Sequence, residues 1–486
     1  MNRLSTVLFL TFLLSACYQA PGDDTHCIGQ QATIHPAYLS TVIPCNIAPL
    51  NFRILEEGSR FRVRFAVAGK DSFEVSCKGA VSIPIRKWKN LLAAHHGEQM
   101  DVCIFAKKES GWVRYAPLRF TIAPEPVDSW LAYRLIEPGY VSWNKMGIYQ
   151  RCLENFEETP IMVNYLTDKK SCMNCHSFCR NNPERMLFHI RQYQAGTILV
   201  KDGKVSKINT RAPGMISAGV YPRWHPDGRY VAFSVNTTTQ DFHTAHPNKI
   251  EVYDIASDIV IFDTETNTIF TDSLICSGKY FETFPEWSPD GRYLYFCCAD
   301  ARLMPDEYDS LRYDLIRIPF DASTRQFGNR KDTLVSSAHT GKSVALARVS
   351  PNGNDIVFCM SDYGTFPVWH RENDLYLLSM TTREITNLTT INSNQSDSYH
   401  AWSSNGRWMV FGSRRTDGAF TRPYLCYFDA DGKAHVPFLL PQKDPMHYDL
   451  SLKSYNLPEF ITGKVDISPY TFDHILQGNA MEVKKK

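Results

Sequence analysis

The apolar and polar positions of this chain alternate in short runs separated by turn residues, and past residue 180 the same unit keeps returning. Pro222-Arg223-Trp224-His225-Pro226-Asp227-Gly228-Arg229-Tyr230-Val231-Ala232-Phe233 is answered by Pro285-Glu286-Trp287-Ser288-Pro289-Asp290-Gly291-Arg292-Tyr293-Leu294-Tyr295-Phe296. Looser copies follow around Ala347-Arg348-Val349-Ser350-Pro351-Asn352-Gly353 and Ala401-Trp402-Ser403-Ser404-Asn405-Gly406. Each reads as strand, tight turn, strand: Pro presets φ, Asp or Asn bonds the nearby backbone, and Gly accepts positive φ. A further apolar strand pattern closes each unit, at 258–263, 314–319, 374–378 and 424–428. Four strands per unit at a regular period predict the blade of a β-propeller. Residues 175–208 have the same shape and form a first blade, with Cys172-Met173-Asn174-Cys175-His176 expected in the place of the Trp-Ser-Pro motif, making five countable blades. A sixth is expected from residues 140–165 with 455–460, because pairing the two ends of the ring would remove its open edges.

The Trp-Ser-Pro-Asp-Gly turns resemble those of TolB-type propellers, over roughly residues 180–435. That resemblance implies an architecture and says little about activity. The fold class expected is all-β, a small N-terminal β-sandwich followed by a TolB-like propeller. Short alternating runs over residues 26–125 suggest the sandwich, with one helix at 88–96. Residues 126–170 read as a connector, with a helix or amphipathic segment at 128–136. The propeller spans 171–465, and 466–486 form a tail.

Composition changes this picture little. The 486 residues carry 52 Lys and Arg against 51 Asp and Glu, so no net field recruits nucleic acid. Aromatic residues at 13% suit a β-rich protein. The N-terminus is more informative. Asn2-Arg3 is basic, residues 7–14 are apolar, and Leu14-Ser15-Ala16-Cys17 resembles a bacterial lipobox. The run is too short to span a membrane and has the layout of a signal peptide. Residues 1–17 are therefore expected to be a lipoprotein signal, Cys17 to carry lipid, and 18–25 to be a tether. Anchoring outside the cytoplasm, in the periplasm or at the outer membrane, follows. The plainer alternative is a secretory signal cleaved after Ala16.

The chemistry concentrates in Cys172-Met173-Asn174-Cys175-His176. CxxCH is the attachment pattern of haem c: two thiols add to the porphyrin vinyl groups and the adjacent imidazole ligates iron. One covalent haem c held by Cys172 and Cys175, with His176 as proximal ligand, is expected. Resemblance to c-type cytochromes implies attachment outside the cytoplasm, where the signal sends this chain. Two readings compete. Cys172, Cys175, Cys179 and a histidine such as His189 could hold zinc, or the two cysteines could form a disulfide in an exported protein. For the sixth iron ligand His225 is favoured, because it replaces the serine of the other turns and neighbours the first blade. Met186 and His189 compete from the first blade's own strand, where alternation puts them on opposite faces. The plain reading of His225 is a turn cap.

Asp227 and Asp290 are explained by turn bonding, and Trp224, Trp287 and Trp402 by packing between blades. There is no G-x-S-x-G elbow, G-x-G-x-x-G or P-loop. The leading reading is thus an envelope lipoprotein carrying haem c for electron transfer or redox sensing with a protein partner. A binding or scaffolding propeller without functional haem is the alternative. A haem enzyme would need an open sixth position and a distal acid–base group that the sequence does not name. Cys17→Ser is expected to release the protein from the membrane fraction. Retention after a high-salt wash would place the anchor elsewhere.

Overall fold

The computed structural model describes residues 21, 22, 24–137, 145–167 and 171–486; the lipobox and Cys17 lie outside them. Six antiparallel sheets form a β-propeller. Blades one to five begin with the inner strands Ser171–Phe178, Val220–Trp224, Tyr280–Trp287, Ser343–Val349 and Asp397–Trp402. The sixth blade takes its inner strand, Ser454–Ile461, from near the C-terminus and its other three, Trp130–Ile136, Gly147–Cys152 and Glu158–Val163, from before blade one. The inner strands adjoin in that order and the sixth returns to the first, so the ring is closed. Residues 128–136, expected as a helix or connector, are mostly a strand of this closing blade. Trp130-Leu131-Ala132-Tyr133 carries β-forming residues, and both neighbours in the sheet are strands.

One backbone feature repeats in every inner strand. Cys175, Tyr221, Phe284, Leu346, Tyr399 and Leu457 have φ between 48° and 55°. At each of them the ladder slips, so that the inner strand holds one residue more than its partner. These are β-bulges. The next residue is Pro222, Pro285 or Pro458 in three blades, which suits a position where the ladder misses an N–H. It is Ala347 in the fourth, and a histidine in the other two, His176 and His400.

Two residues beyond the bulge-following position the blades are stitched together. Trp224 Nε1 donates to Ser177 O (3.3 Å), Trp287 Nε1 to Arg223 O (3.1 Å) and Trp402 Nε1 to Arg348 O (3.2 Å). Each bond joins one blade to a neighbouring one. The turns add a second stitch. Ser288 Oγ donates to Asp290 Oδ1 (2.6 Å) and accepts from Tyr293 N–H (3.0 Å), which holds the blade-three turn. Gly291 in that turn has φ 75°, and a Cβ there would meet His225 Nε2 at 2.3 Å.

Before the ring, residues 27–122 form a seven-stranded sheet and a three-stranded sheet with the helix Ile85–Ala94. Their core continues into blade five, where Trp408, Val410 and Leu425 are buried against it. After the ring, the helix Pro469–Gln477 buries Phe472 and Leu476, with Phe472 edge-on to Phe188 of blade one (5.3 Å). The last residues then add short parallel strands to the outer edges of blades one and two.

Trp287 is 3% exposed and serves both as blade stitch and as packing partner of His225 (ring centroids 4.8 Å). Trp287→Ala should lower stability by about 3–5 kcal/mol in chemical denaturation. A loss below about 1 kcal/mol would show that this interface does not hold the ring.

Candidate functional site

The bulges divide the central channel into layers. The bulge residues Cys175, Tyr221, Tyr399 and Leu457 line the wall of a cavity of about 1020 Å³ at the mouth opposite the tight turns. His176 and His400 follow one residue deeper. The next residues, Arg223, Glu286, Arg348 and Glu459, surround a smaller depression of about 400 Å³ on the turn side. Those four charges satisfy one another. Arg223 Nε lies 3.2 Å and an Arg348 guanidinium nitrogen 3.4 Å from Glu286, and Arg223 reaches Glu459 at 4.0 Å. Burial raises Glu459 to about 7, although Arg223 and the Phe178 N–H oppose the shift.

The mouth cavity is different. It extends outward between blades one and two and is lined by Arg134, Arg191 and Lys207 among polar groups such as Asn174 and Asn236. Lys207 Nζ donates to the Leu476 and Gly478 carbonyls. Glu482 is the one carboxylate on the wall, and it accepts from Asn209 Nδ2 (2.9 Å). A long hairpin of blade two, Tyr230–Phe242 with Ile250–Asp263, contributes Asn236, Thr238, Gln240 and Val252.

The CxxCH motif lies on the inner strand of blade one, upstream of the place the sequence register implied. Phe178 and Cys179, and not CxxCH, occupy the Trp-Ser positions of the other blades. Cys175 is the bulge residue and borders the cavity. Burial raises its thiol pKa, opposed by the Arg191 charge, the Tyr221 backbone and Arg134. Cys172 lies three residues back, opposite Arg191 in the ladder, and is half-buried. His176 is 5% exposed, and neither ring nitrogen has a hydrogen-bond partner among the described residues. Burial, with the Arg134 charge, lowers its pKa to about 3, although the Leu457 backbone works the other way. Its imidazole is therefore neutral.

His400 calibrates that finding. It holds the same post-bulge position in blade five, is lowered to about 3 chiefly by burial, and donates through Nε2 to the Val357 carbonyl (2.8 Å). A histidine at this place thus serves the ring as a structural side chain in at least one blade.

The three candidates for a sixth ligand separate. His225, favoured from sequence, is in the turn of blade two. Its Nε2 bonds the Gly291 carbonyl (2.9 Å) and its Nδ1 faces the Asp227 carboxylate (2.8 Å). It points at blade three, so it is the turn cap of the plainer reading. Met186 pairs with Phe178 and is fully buried in the apolar core shared with blade six. His189 pairs with Asn174, lines the cavity, and shares a hydrogen bond between Nδ1 and Thr197 Oγ1 (3.1 Å); burial lowers it to about 3. The zinc set is not gathered either. Cys179 lies in the core between blades one and two with its sulfur toward the His225 carbonyl (3.8 Å), and no group of three His, Cys, Asp or Glu is assembled to hold a metal among the described residues. Cys172 and Cys175 are unpaired thiols.

Arg134 and Arg191 went unnoticed in the sequence. Arg134 lies in the segment expected to be a helix, and Arg191 sits in an unremarkable strand end; neither carries a motif.

Comparisons with known proteins find only distant likenesses. No family model matches, and no curated protein matches. Among solved structures, a puromycin-hydrolysing peptidase from Mycobacterium tuberculosis aligns at 10% identity and TM-score 0.35, over 71% of this chain and 52% of that one. The β-propeller domain of the trilobed protease from Pyrococcus furiosus aligns at 10% identity and TM-score 0.27, over 69% and 79%. The propeller domain of Cps50 from Myceliophthora thermophila aligns at 10% identity and TM-score 0.28, over 55% and 95%. This chain spans about half the length of the peptidase it matches. At such scores the likenesses carry no argument about activity.

Beyond the cavity, the tip of the long hairpin is clamped to blade four. Glu251 accepts from Tyr363 Oη (2.7 Å) and meets His370 Nε2 (3.0 Å), whose Nδ1 faces Glu372 (3.0 Å). Burial alone would lower His370, but its bonds to Glu251 and Glu372 prevail and raise it from 6.5 to about 9. Because the folded value is the higher one, this contribution is complete below about 6.5 and is lost as pH rises through about 9. Glu372, lowered from 4.5 to about 2 by the same bonds against its burial, adds stability that is lost only as pH falls through about 2. Hydrogen exchange at the hairpin tip should therefore quicken between pH 6.5 and 9 beyond the intrinsic rate. His370→Gln should remove that dependence, and an unchanged profile in the variant would rule out the clamp.

Proposed function

We propose that this β-propeller is a non-catalytic binding protein of the bacterial cell envelope, with the mouth cavity as its ligand site. One observation carries the reading. The cavity, about 1020 Å³, opens at the mouth of the channel, and its wall is polar and cationic where the opposite end is charge-neutralised. Concave sites of this size with a few convergent polar groups are the usual place for a small ligand. The exported, lipid-anchored location remains the reading of residues 1–17, and a protein partner of the envelope suits a propeller that presents two faces.

A second reading is the redox one, and His176 favours it. A buried imidazole with no hydrogen bond of ordinary geometry, and only the Leu457 backbone near it, is poorly satisfied, and iron would satisfy one of its nitrogens. The donor chemistry fits haem c: two unpaired thiols and a neutral imidazole in the order the attachment needs. Cys172 and Cys175 would hold the thioethers, His176 the iron, and His189 is the one candidate for the sixth position on the cavity wall. When bound, the haem would supply one-electron chemistry for transfer or sensing. The placement favours the first reading, because Cys175 alone of the three borders the cavity.

Expression with a cytochrome c maturation system, followed by haem staining of a denaturing gel, separates the two. A colourless band beside a haem-positive control is expected. A stained band that disappears in the Cys172→Ala/Cys175→Ala variant would establish the redox reading instead.

A further inference from the structure

Arg134 and Arg191 come from different blades and meet at one place. Arg134 lies on the closing strand of blade six and Arg191 on the second strand of blade one. Both line the mouth cavity, and both charges reach the Cys175 thiol between them. Arg134 donates to the Met173 carbonyl (3.3 Å) and its buried Nε has no partner. Arg191 makes no ion pair or hydrogen bond among the described residues. Lys207, on the same wall, touches only carbonyls, and Glu482 is already engaged by Asn209. Elsewhere in this protein arginines that converge are neutralised, as Arg223 and Arg348 are by Glu286. Here Glu482 is the one carboxylate among the described lining residues, and it pairs with neither arginine.

We propose that the mouth cavity binds a small hydroxylated oxyanion, with Arg134 and Arg191 gripping its carboxylate or phosphate beside Cys175. The proposal rests on the reading of this cavity as the ligand site and names its chemistry. Guanidinium groups suit such oxygens because their planar fork gives paired, charge-assisted hydrogen bonds. The hydroxylated character follows from Asn174 and Asn236. Each has a buried side-chain oxygen without a partner, and both residues line the cavity, where ligand hydroxyls would satisfy them. Tyr221 and Tyr399 supply flat apolar walls at the channel end. A sugar acid and a sugar phosphate share this chemistry.

The test is calorimetric titration of the full chain with D-glucuronate, D-glucose 6-phosphate and D-glucose. The anions are expected to bind and the neutral sugar not to. Arg191→Gln should weaken anion binding by about 10–100-fold with no change in melting temperature, since Arg191 is exposed and its removal breaks no contact. Arg134→Gln should weaken anion binding as well, with some loss of stability because its bond to the Met173 carbonyl goes. Added salt should weaken the anions and not any residual sugar binding. A preference for glucuronate over the phosphate, or the reverse, decides between the two sources. Equal binding of glucose and both anions, unaffected by Arg191→Gln, would overturn the oxyanion proposal while leaving the cavity a ligand site. Absence of binding by all three would overturn both.

Discussion

Hydrogen bonding between Trp130–Ile136 and Ser454–Ile461 turns a row of sheets into a ring. Without that pairing blade one would present Ser171–Phe178 and the rest of its face to water, and blade six would lack its inner strand. The closure also builds the site. Arg134 is on one of the two paired strands and Leu457 on the other, while Cys175 and Arg191 belong to the blade on the far side of the seam. The mouth cavity is thus assembled from both ends of the propeller, and no local segment could form it alone. Such non-local closure makes folding depend on contacts between distant residues. It also explains why the tail, with Phe472 in the core of blade one and short strands on two blade edges, reinforces the same sector.

The second constraint is the bulge. A positive φ at a non-glycine residue is sparsely populated, yet all six inner strands adopt one, at Cys175, Tyr221, Phe284, Leu346, Tyr399 and Leu457. Six repeats of one uncommon conformation are a property of the architecture. Its consequence is a change of side-chain direction inside each strand, which sends the bulge residue to the mouth and the residue two places on to the charged layer. The channel is therefore a stack of layers with separate chemistries. The turn-side layer holds paired Arg and Glu, the middle holds prolines and two histidines, and the mouth holds aromatic and thiol groups under unpaired cations.

This explains what could be read in the sequence. The turns were legible because Pro-Asp-Gly has its own conformational chemistry, and the blades followed from their recurrence. The sixth blade was expected from residues 140–165 with 455–460 because pairing the two ends would remove the open edges, and the match of Leu457-Pro458-Glu459-Phe460 to Phe284-Pro285-Glu286-Trp287 stands out only once the ring is known. Trp130–Ile136 was misread because an apolar run flanked by polar residues fits a helix until its partners are known. The register of CxxCH was misplaced because a bulge is silent in sequence wherever proline does not follow it, and in blade one histidine follows it. His225 was legible as unusual and misleading as to why: it replaces serine in capping its own turn and reaches the next blade's glycine. Arg134 and Arg191 were illegible, since charge convergence exists only after the ring has closed.

The same layering bears on the CxxCH pentapeptide. In an unbroken strand Cys172 and Cys175 would face opposite sides, because they stand three positions apart and side chains alternate. The bulge breaks the alternation and turns Cys175 to the cavity, while Cys172 stays beside Arg191 at the ladder. His176 is then carried inward to the layer it shares with His400, where the latter donates to the Val357 carbonyl and the former has the Leu457 backbone beside it without a hydrogen bond of ordinary geometry. The difference between these two histidines lies in their surroundings, since both stand at equivalent backbone positions and both are kept neutral by burial and neighbouring arginines. An imidazole that the fold does not satisfy is the part of the motif that packing alone leaves unexplained.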